Sequence, residues 1–101
     1  MNQKKDISGI ITIARRAGKL ILGFDAVKEA IMTRQAKLIL ITADVSAKTE
    51  KETVFFAEKK NVPVKKMTLT QDDLMNLFGK QYGVLSVSDQ GFAEKILSDY
   101  I

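Results

Sequence analysis

Apolar residues near the start of the chain recur at intervals of three and four positions, which is the period of an amphipathic helix. Isoleucine or alanine stands at positions 7, 10, 11 and 14. A helix is therefore predicted over 7–17, with Asp6 as its cap and Gly18 as its left-handed stop. The same period predicts four further helices, at 25–34, 49–60, 71–78 and 91–100.

Polar residues and glycine mark the ends of two of these helices. Thr49 with Glu52, and Thr70 with Asp73, have the three-residue spacing of a capping box. Gly79 follows the apolar positions of the fourth helix and can take the left-handed conformation that ends a helix. These signals set the starts of the third and fourth helices and the end of the fourth.

Four short segments lack the helical period and predict β-strands, at 20–22, 37–42, 64–67 and 84–87. The run at 37–42 is almost continuously aliphatic, which is typical of a central strand that is buried on both faces. From Leu38 onward strands and helices alternate, and this order favours parallel pairing with right-handed crossovers. The pattern as a whole predicts a single domain over 1–101, a three-layer α/β/α sandwich with a mixed sheet of about four strands.

The chain has 101 residues and contains neither cysteine nor histidine. Disulfides, thiol chemistry, cysteine–histidine zinc sites and imidazole catalysis are therefore excluded. Gly79-Lys80 does not complete a phosphate-binding loop, because Leu74 stands where an earlier glycine is required and Gln81 where serine or threonine is required. We therefore expect a protein that is not an enzyme and has no cofactor and no metal.

No apolar run approaches the roughly 18 residues that a membrane-spanning helix needs. Residues 1–6 also lack the apolar core of a secretion signal. From these features we expect a cytoplasmic protein without a membrane partner, and a monomer.

Positive charge is concentrated in the first part of the chain. Residues 1–43 hold eight basic and three acidic side chains, whereas residues 44–101 hold eight basic and nine acidic ones. This asymmetry favours a polyanionic partner that contacts the N-terminal part. The alternative is that the basic surface serves solubility alone.

The segment from Gly23 to Lys28 is a candidate anion site. Gly23 ends an extended run at the predicted start of the second helix, where free backbone N–H groups and the helix dipole favour a phosphate. Lys28 lies near that start, where a cation opposes the dipole, so an external anion would explain its position. The alternative is that Gly23 serves only the turn and that Lys28 pairs with Asp25 or Glu29.

A second candidate is the loop 79–83, which places Lys80, Gln81 and Tyr82 between two glycines. A tyrosine ring could stack on an unpaired base while the lysine contacts its phosphate. The alternative is a partly buried tyrosine that closes the connection between a helix and a strand.

Six segments of the chain carry a further signal in their residues and in the distances between them: Ala14–Lys19, Gly23, Gln35–Val45, Asn61–Val64, Thr70–Phe78 and Asp89–Ala93. Together they resemble the ribosomal protein seven-Ae-like family, and in particular its short bacterial YlxQ-type members. The resemblance covers nearly the whole chain and implies an α/β/α sandwich that binds kink-turn RNA in ribosomal or other ribonucleoprotein particles.

In that family the start of the second helix reads G-x-N-E-x-x-K, and its polar residues contact sheared G·A pairs. Gly23 matches the glycine, whereas Asp25, Ala26 and Glu29 stand at the Asn, Glu and Lys positions. Lys28 is one residue away from the lysine position, about 100° round the helix. The resemblance therefore implies the same RNA surface with fewer groups that read bases.

The leading hypothesis is a non-catalytic, ribosome-associated module whose partner is structured RNA, either ribosomal RNA or another kink-turn RNA. The alternative is a protein-interaction or scaffold domain of the same fold with weak or lost RNA binding. The predicted RNA-binding residues are Lys19, Gly23, Phe24, Asp25, Lys28, Lys37, Lys80, Gln81 and Tyr82.

Overall fold

The computed structural model describes residues 6–101 and contains, within them, five helices and four strands. In chain order these are α1 (Ser8–Arg16), β1 (Leu20–Leu22), α2 (Phe24–Met32), β2 (Leu38–Ile41), α3 (Ala47–Lys59), β3 (Val64–Lys66), α4 (Gln71–Phe78), β4 (Val84–Val87) and α5 (Gln90–Asp99). Each predicted helix and strand is present, and every bound lies within two residues of the predicted one.

The helix ends show which capping signals were interpreted correctly. Thr70 and Asp73 form the predicted capping box of α4, and Gly79 ends that helix in the left-handed conformation with φ of 80°. The prediction for α3 was wrong, because Ser46 caps this helix by accepting a hydrogen bond from the Thr49 amide, at 3.1 Å. Ser46 is followed three residues later by Thr49 rather than by Glu or Gln, so a search for the capping-box pattern misses it.

The four strands form one sheet in the order β1-β4-β2-β3. β2 pairs in parallel with β3, as predicted, but β4 is antiparallel to both β1 and β2. The parallel prediction therefore fails for β4. α4 is short, about 12 Å long. The side chain of Gln81, in the loop that follows α4, donates a hydrogen bond to Asp72 in the first turn of α4. The chain thus returns to the edge where α4 began, and β4 enters the sheet from that edge.

Alternate residues of the central strand β2 face two separate core clusters. Leu38 and Leu40 pack on one face of the sheet with side chains from α1, α4 and α5. Ile39 and Ile41 pack on the other face with side chains from α2 and α3. All four are almost completely buried, as the aliphatic run predicted for a strand covered on both faces. The helices therefore sandwich the sheet, and the predicted three-layer α/β/α architecture is confirmed.

The topology gives the sheet two unlike edges. We call "upper edge" the one where β1, β2 and β3 end and β4 begins; it carries the starts of α2, α3 and α4 and the loop 79–83. We call "lower edge" the opposite one, formed by the connections at 17–19, 33–37, 60–63 and 88–89. Among the described helices none is long and apolar enough to cross a membrane.

Candidate functional site

Gly23 connects β1 to α2 at the upper edge. Its backbone has φ of 94° and ψ of 150°, a combination that is essentially restricted to glycine. Its N–H donates to the carbonyl of Val84 in β4, and its carbonyl accepts from Val27 N–H, both at 2.9 Å. Gly23 thus fixes the start of α2 against the first residue of β4.

The start of α2 differs from the starts of the other helices in the described part of the chain. α2 has no side chain that accepts a hydrogen bond from its first-turn amides, so the N–H groups of residues 24–26 have no protein partner there. Each other helix has an oxygen acceptor at its start, namely Asp6 for α1, Ser46 for α3, Thr70 for α4 and Asp89 for α5. Free N–H groups and the positive end of the helix dipole favour an anion at this position.

The loop 79–83 meets the start of α2. A β-carbon built on Gly23 would lie 3.7 Å from Cδ1 and 3.8 Å from Cε1 of the half-buried Tyr82. The ring therefore lies beside the uncapped helix start, although more than fifty residues separate the two in sequence. The predicted convergence of these two segments is confirmed for Gly23 and Tyr82.

Contacts on both sides hold this loop in place. The carbonyl of Gly83 accepts from Thr42 N–H at 3.0 Å. A β-carbon on Gly83 would lie only 3.2 Å from Cγ2 of Val45, so the backbone approaches the loop before α3 closely. Lys80 and Gln81 remain exposed, and the Gln81 amide donates to Asp72. The loop thus places the Tyr82 ring beside the start of α2 and leaves the Lys80 side chain exposed.

A shallow groove of about 220 Å³ runs from the start of α2 to the start of α4. Gln71 lines this groove. Its backbone N–H donates to Oδ1 of Asp44 at 3.0 Å, and its side-chain amide donates to the Asp44 carbonyl at 3.3 Å. Phe24 and Val45 line the same groove. Gln71 and Val45 were not among the predicted site residues, because neither shows a motif or an unusual charge; only the order of the strands brings them here.

Lys28 lies one turn into α2, and its amine sits 4.5 Å from the centre of the Phe56 ring on α3. Within residues 6–101 it forms no ion pair with Asp25 or Glu29, so the proposed local pairing is wrong. An ammonium over an aromatic face is attracted by the ring quadrupole. Lys28 is exposed and therefore remains available to an anion.

Lys19 and Lys37 lie at the lower edge, away from Gly23 and Tyr82. The carbonyl of Lys19 accepts from Ser88 N–H at 2.9 Å, and Lys37 N–H donates to the carbonyl of Val87 at 2.8 Å. At about 3.3 Å per strand residue, this places Lys19 roughly 13 Å from Gly23 along the sheet. The structure does not bring these two lysines together with the rest of the predicted site, because their strands run from the lower edge to the upper one.

With this geometry in place, comparison with known proteins identifies the family. The sequence model of the ribosomal protein L7Ae/L30e/S12e/Gadd45 family matches residues 5–97. The chain belongs to this family. It is also 37% identical over 90 residues, 88% of this chain and 89% of the relative, to the RNA-binding protein YlxQ of Bacillus subtilis. The chain is therefore a YlxQ-type member, as the sequence resemblance predicted.

Two further relatives extend the comparison. The large ribosomal subunit protein eL30 of Pyrobaculum islandicum is 32% identical over 59 residues, 58% of each chain. The 15.5 kD RNA-binding protein of Giardia lamblia is 16% identical, and its structure superposes with a TM-score of 0.75 over 91% of this chain and 82% of that one. The structural likeness supports the fold alone. The relatives are RNA-binding and ribosomal proteins rather than enzymes, and this L7Ae-family chain is non-catalytic.

The positions that correspond to the family motif are exposed on the first turns of α2. Asp25, Ala26 and Glu29 all face solvent, so their side chains are free to meet a ligand that docks on the helix start. Two of the three are carboxylates and the third has no polar atom. These three side chains thus offer no hydrogen-bond donor to such a ligand.

Proposed function

We propose that this protein is an RNA-binding, ribosome-associated protein of the cytoplasm that recognises kink-turn or similar structured RNA through the start of α2 and the loop 79–83. The observation that carries the proposal is the uncapped start of α2 beside the Tyr82 ring. Membership in a ribosomal protein family and the likeness to YlxQ, an RNA-binding protein by name, support it.

In this mechanism the backbone does most of the binding. The free N–H groups of residues 24–26 donate to a phosphate, which the helix dipole stabilises further. Gly23 has no side chain that could cover these groups, and the ring of Tyr82 presents a face on which an unstacked base can stack. Lys28 and Lys80 add positive charge on either side of this contact.

Base recognition is weaker than the family motif provides. Ala26 has no group that can accept a hydrogen bond from a guanine edge, and the carboxylates of Asp25 and Glu29 repel nearby phosphates. Phosphate contacts must then supply most of the affinity. The same lack of base-reading side chains on α2 favours a second candidate function, that of a protein-interaction or scaffold domain of the same fold.

Lys28→Ala is expected to weaken binding to kink-turn RNA and to plain duplex RNA alike. Because the lysine neutralises phosphate charge, the slope of log K against log salt should become shallower by up to about one unit. The free energy of unfolding should change by no more than about 0.5 kcal/mol, because the exposed contact with Phe56 is weak and the cation opposes the α2 dipole. Filter binding over a range of salt concentrations measures the slope.

Lys65→Ala serves as the control, because it removes the same charge from an exposed position in the edge strand β3. Its salt slope should equal that of the unmodified protein. If both variants change the slope equally, net charge rather than a site at α2 governs binding, and the scaffold function is favoured instead.

A further inference from the structure

A second basic surface lies at the lower edge, at the end of the sheet opposite to the α2 start. A cleft of about 390 Å³ opens there between the ends of α2 and α3 and the beginning of α5. Its polar lining consists of Arg34, Lys37, Lys60, Asn61 and Gln90. The predicted site included only Lys37 from this set.

The charge of this cleft is not balanced locally. No carboxylate lines it, and within residues 6–101 Arg34, Lys37 and Lys60 form no ion pair. The Glu94 side chain accepts from the Gln90 amide at 3.0 Å, but Glu94 itself is not part of the lining. Like charges that share a cleft repel each other, and an external anion relieves that repulsion.

The backbone gives an independent reason to assign a function to Arg34. α1 and α4 are followed by left-handed glycines, Gly18 and Gly79, whereas Arg34 and Asn61 occupy the left-handed positions after α2 and α3. Asparagine tolerates this conformation, but arginine is less stable in it than glycine. A cation at the C-terminal end of a helix interacts favourably with the helix dipole, as Arg34 and Lys60 do after α2 and α3. Lys37 precedes a strand, so the helix dipole does not explain its position. Both left-handed side chains line the same cleft.

We propose that the Arg34–Lys37–Lys60 cleft binds the phosphodiester backbone of a single-stranded RNA segment, independently of the α2 site. The proposal rests on the proposed function in taking RNA as the ligand. The absence of an aromatic side chain from the cleft lining predicts contact with the backbone rather than the bases, and hence little dependence on sequence. The protein then holds two RNA segments, one at each edge of the sheet.

The test measures binding of a fluorescent oligouridine of about twelve nucleotides, a length within the range that single-strand grooves cover. The triple variant Arg34→Gly/Lys37→Ala/Lys60→Ala is expected to bind it about tenfold more weakly, with a salt slope shallower by about two units. Gly23→Val, at the α2 site, should weaken this binding much less than the triple variant does. Arg34→Gly alone should melt at the same temperature as the unmodified protein or higher, which separates loss of binding from loss of folding.

The matched control is Lys48→Ala/Lys51→Ala/Lys65→Ala, which removes three exposed cations outside the cleft. This control should retain oligouridine binding; equal losses in the two triple variants would overturn the proposal. Binding of a polyglutamate peptide is measured in the same way. If the peptide binds as tightly as oligouridine and loses the same affinity in the cleft variant, the RNA proposal is overturned in favour of an acidic protein partner.

The same measurements distinguish failure of this proposal from failure of the proposed function. If kink-turn RNA binds no better than duplex RNA while oligouridine binding depends on the cleft, the kink-turn function is wrong and the cleft stands. If kink-turn binding depends on Gly23 while the affinity for oligouridine is unchanged in the cleft variant, the proposed function stands and the cleft proposal is wrong.

Discussion

Gly23→Val is expected to weaken binding to kink-turn RNA by about a hundredfold, because two or more backbone hydrogen bonds to phosphate are lost. The φ of 94° and ψ of 150° at this position are very unfavourable for a β-branched residue. A valine side chain would also pack against the Tyr82 ring, since its β-carbon would lie 3.7 Å from Cδ1 of that ring. We expect the free energy of unfolding to fall by about 1–3 kcal/mol. Calorimetric titration and urea denaturation measure the two effects.

The control for backbone strain is Gly18→Val. Gly18 has φ of 72° and open space around it, and it lies at the lower edge, where α1 ends. This variant should lose about 1–2 kcal/mol of stability and retain kink-turn binding. If Gly23→Val also retains full affinity, the start of α2 is not the RNA contact.

Leu85→Ala is expected to lower the free energy of unfolding by about 3 kcal/mol, the largest effect on stability that we predict. Leu85 is fully buried in the central strand β4, in register with Leu22 of β1 and Leu40 of β2. Removing three carbon atoms there leaves a cavity between the sheet and the cluster formed by α1, α4 and α5. A rigid sheet cannot close such a cavity without moving three strands. Urea denaturation at 25 °C measures the change.

Leu77→Ala is the matched control, because Leu77 on α4 is 38% exposed. The same substitution there should cost no more than about 0.5 kcal/mol. Below its unfolding transition, Leu85→Ala should still bind RNA, since neither edge of the sheet loses a contact. Equal destabilisation by the two variants would contradict the burial pattern on which the sandwich rests.

Local patterns predicted the elements well where a single physical cause decides the outcome. The continuous aliphatic run of β2 required burial on both faces, and Thr70 with Asp73 could satisfy the first amides of α4. Gly18 and Gly79 marked left-handed helix ends for the same kind of local reason. None of these features depends on which strands are neighbours.

Features that depend on strand order could not be predicted in this way. The direction of β4 is decided by the return of the loop 79–83 to the edge where α4 begins. The alternation of strands and helices along the sequence does not indicate that return. The same topology places Lys19 and Lys37 at the lower edge, although Lys19 lies only four residues from Gly23. Lys28 contacts Phe56 for a related reason, since the packing of α2 on α3 outweighs a local ion pair.

The candidate site itself was predicted in part. Gly23 could be assigned because an extended run that ends in glycine before a helix exposes backbone amides, and Tyr82 because an aromatic between two glycines is unusual. The lower cleft could not be found in the same way. Arg34 and Lys60 each look like ordinary solvated cations in sequence, and only the fold brings them into one cleft with Lys37.

The central claim is that the start of α2 binds kinked RNA, and titration of the unmodified protein tests it most directly. A kink-turn RNA and a plain duplex of equal length and charge are compared under the same salt conditions. We expect tighter binding to the kink-turn, with a salt slope between about −2 and −4 that reflects three to five phosphate contacts. Equal affinity for the two RNAs would contradict the claim.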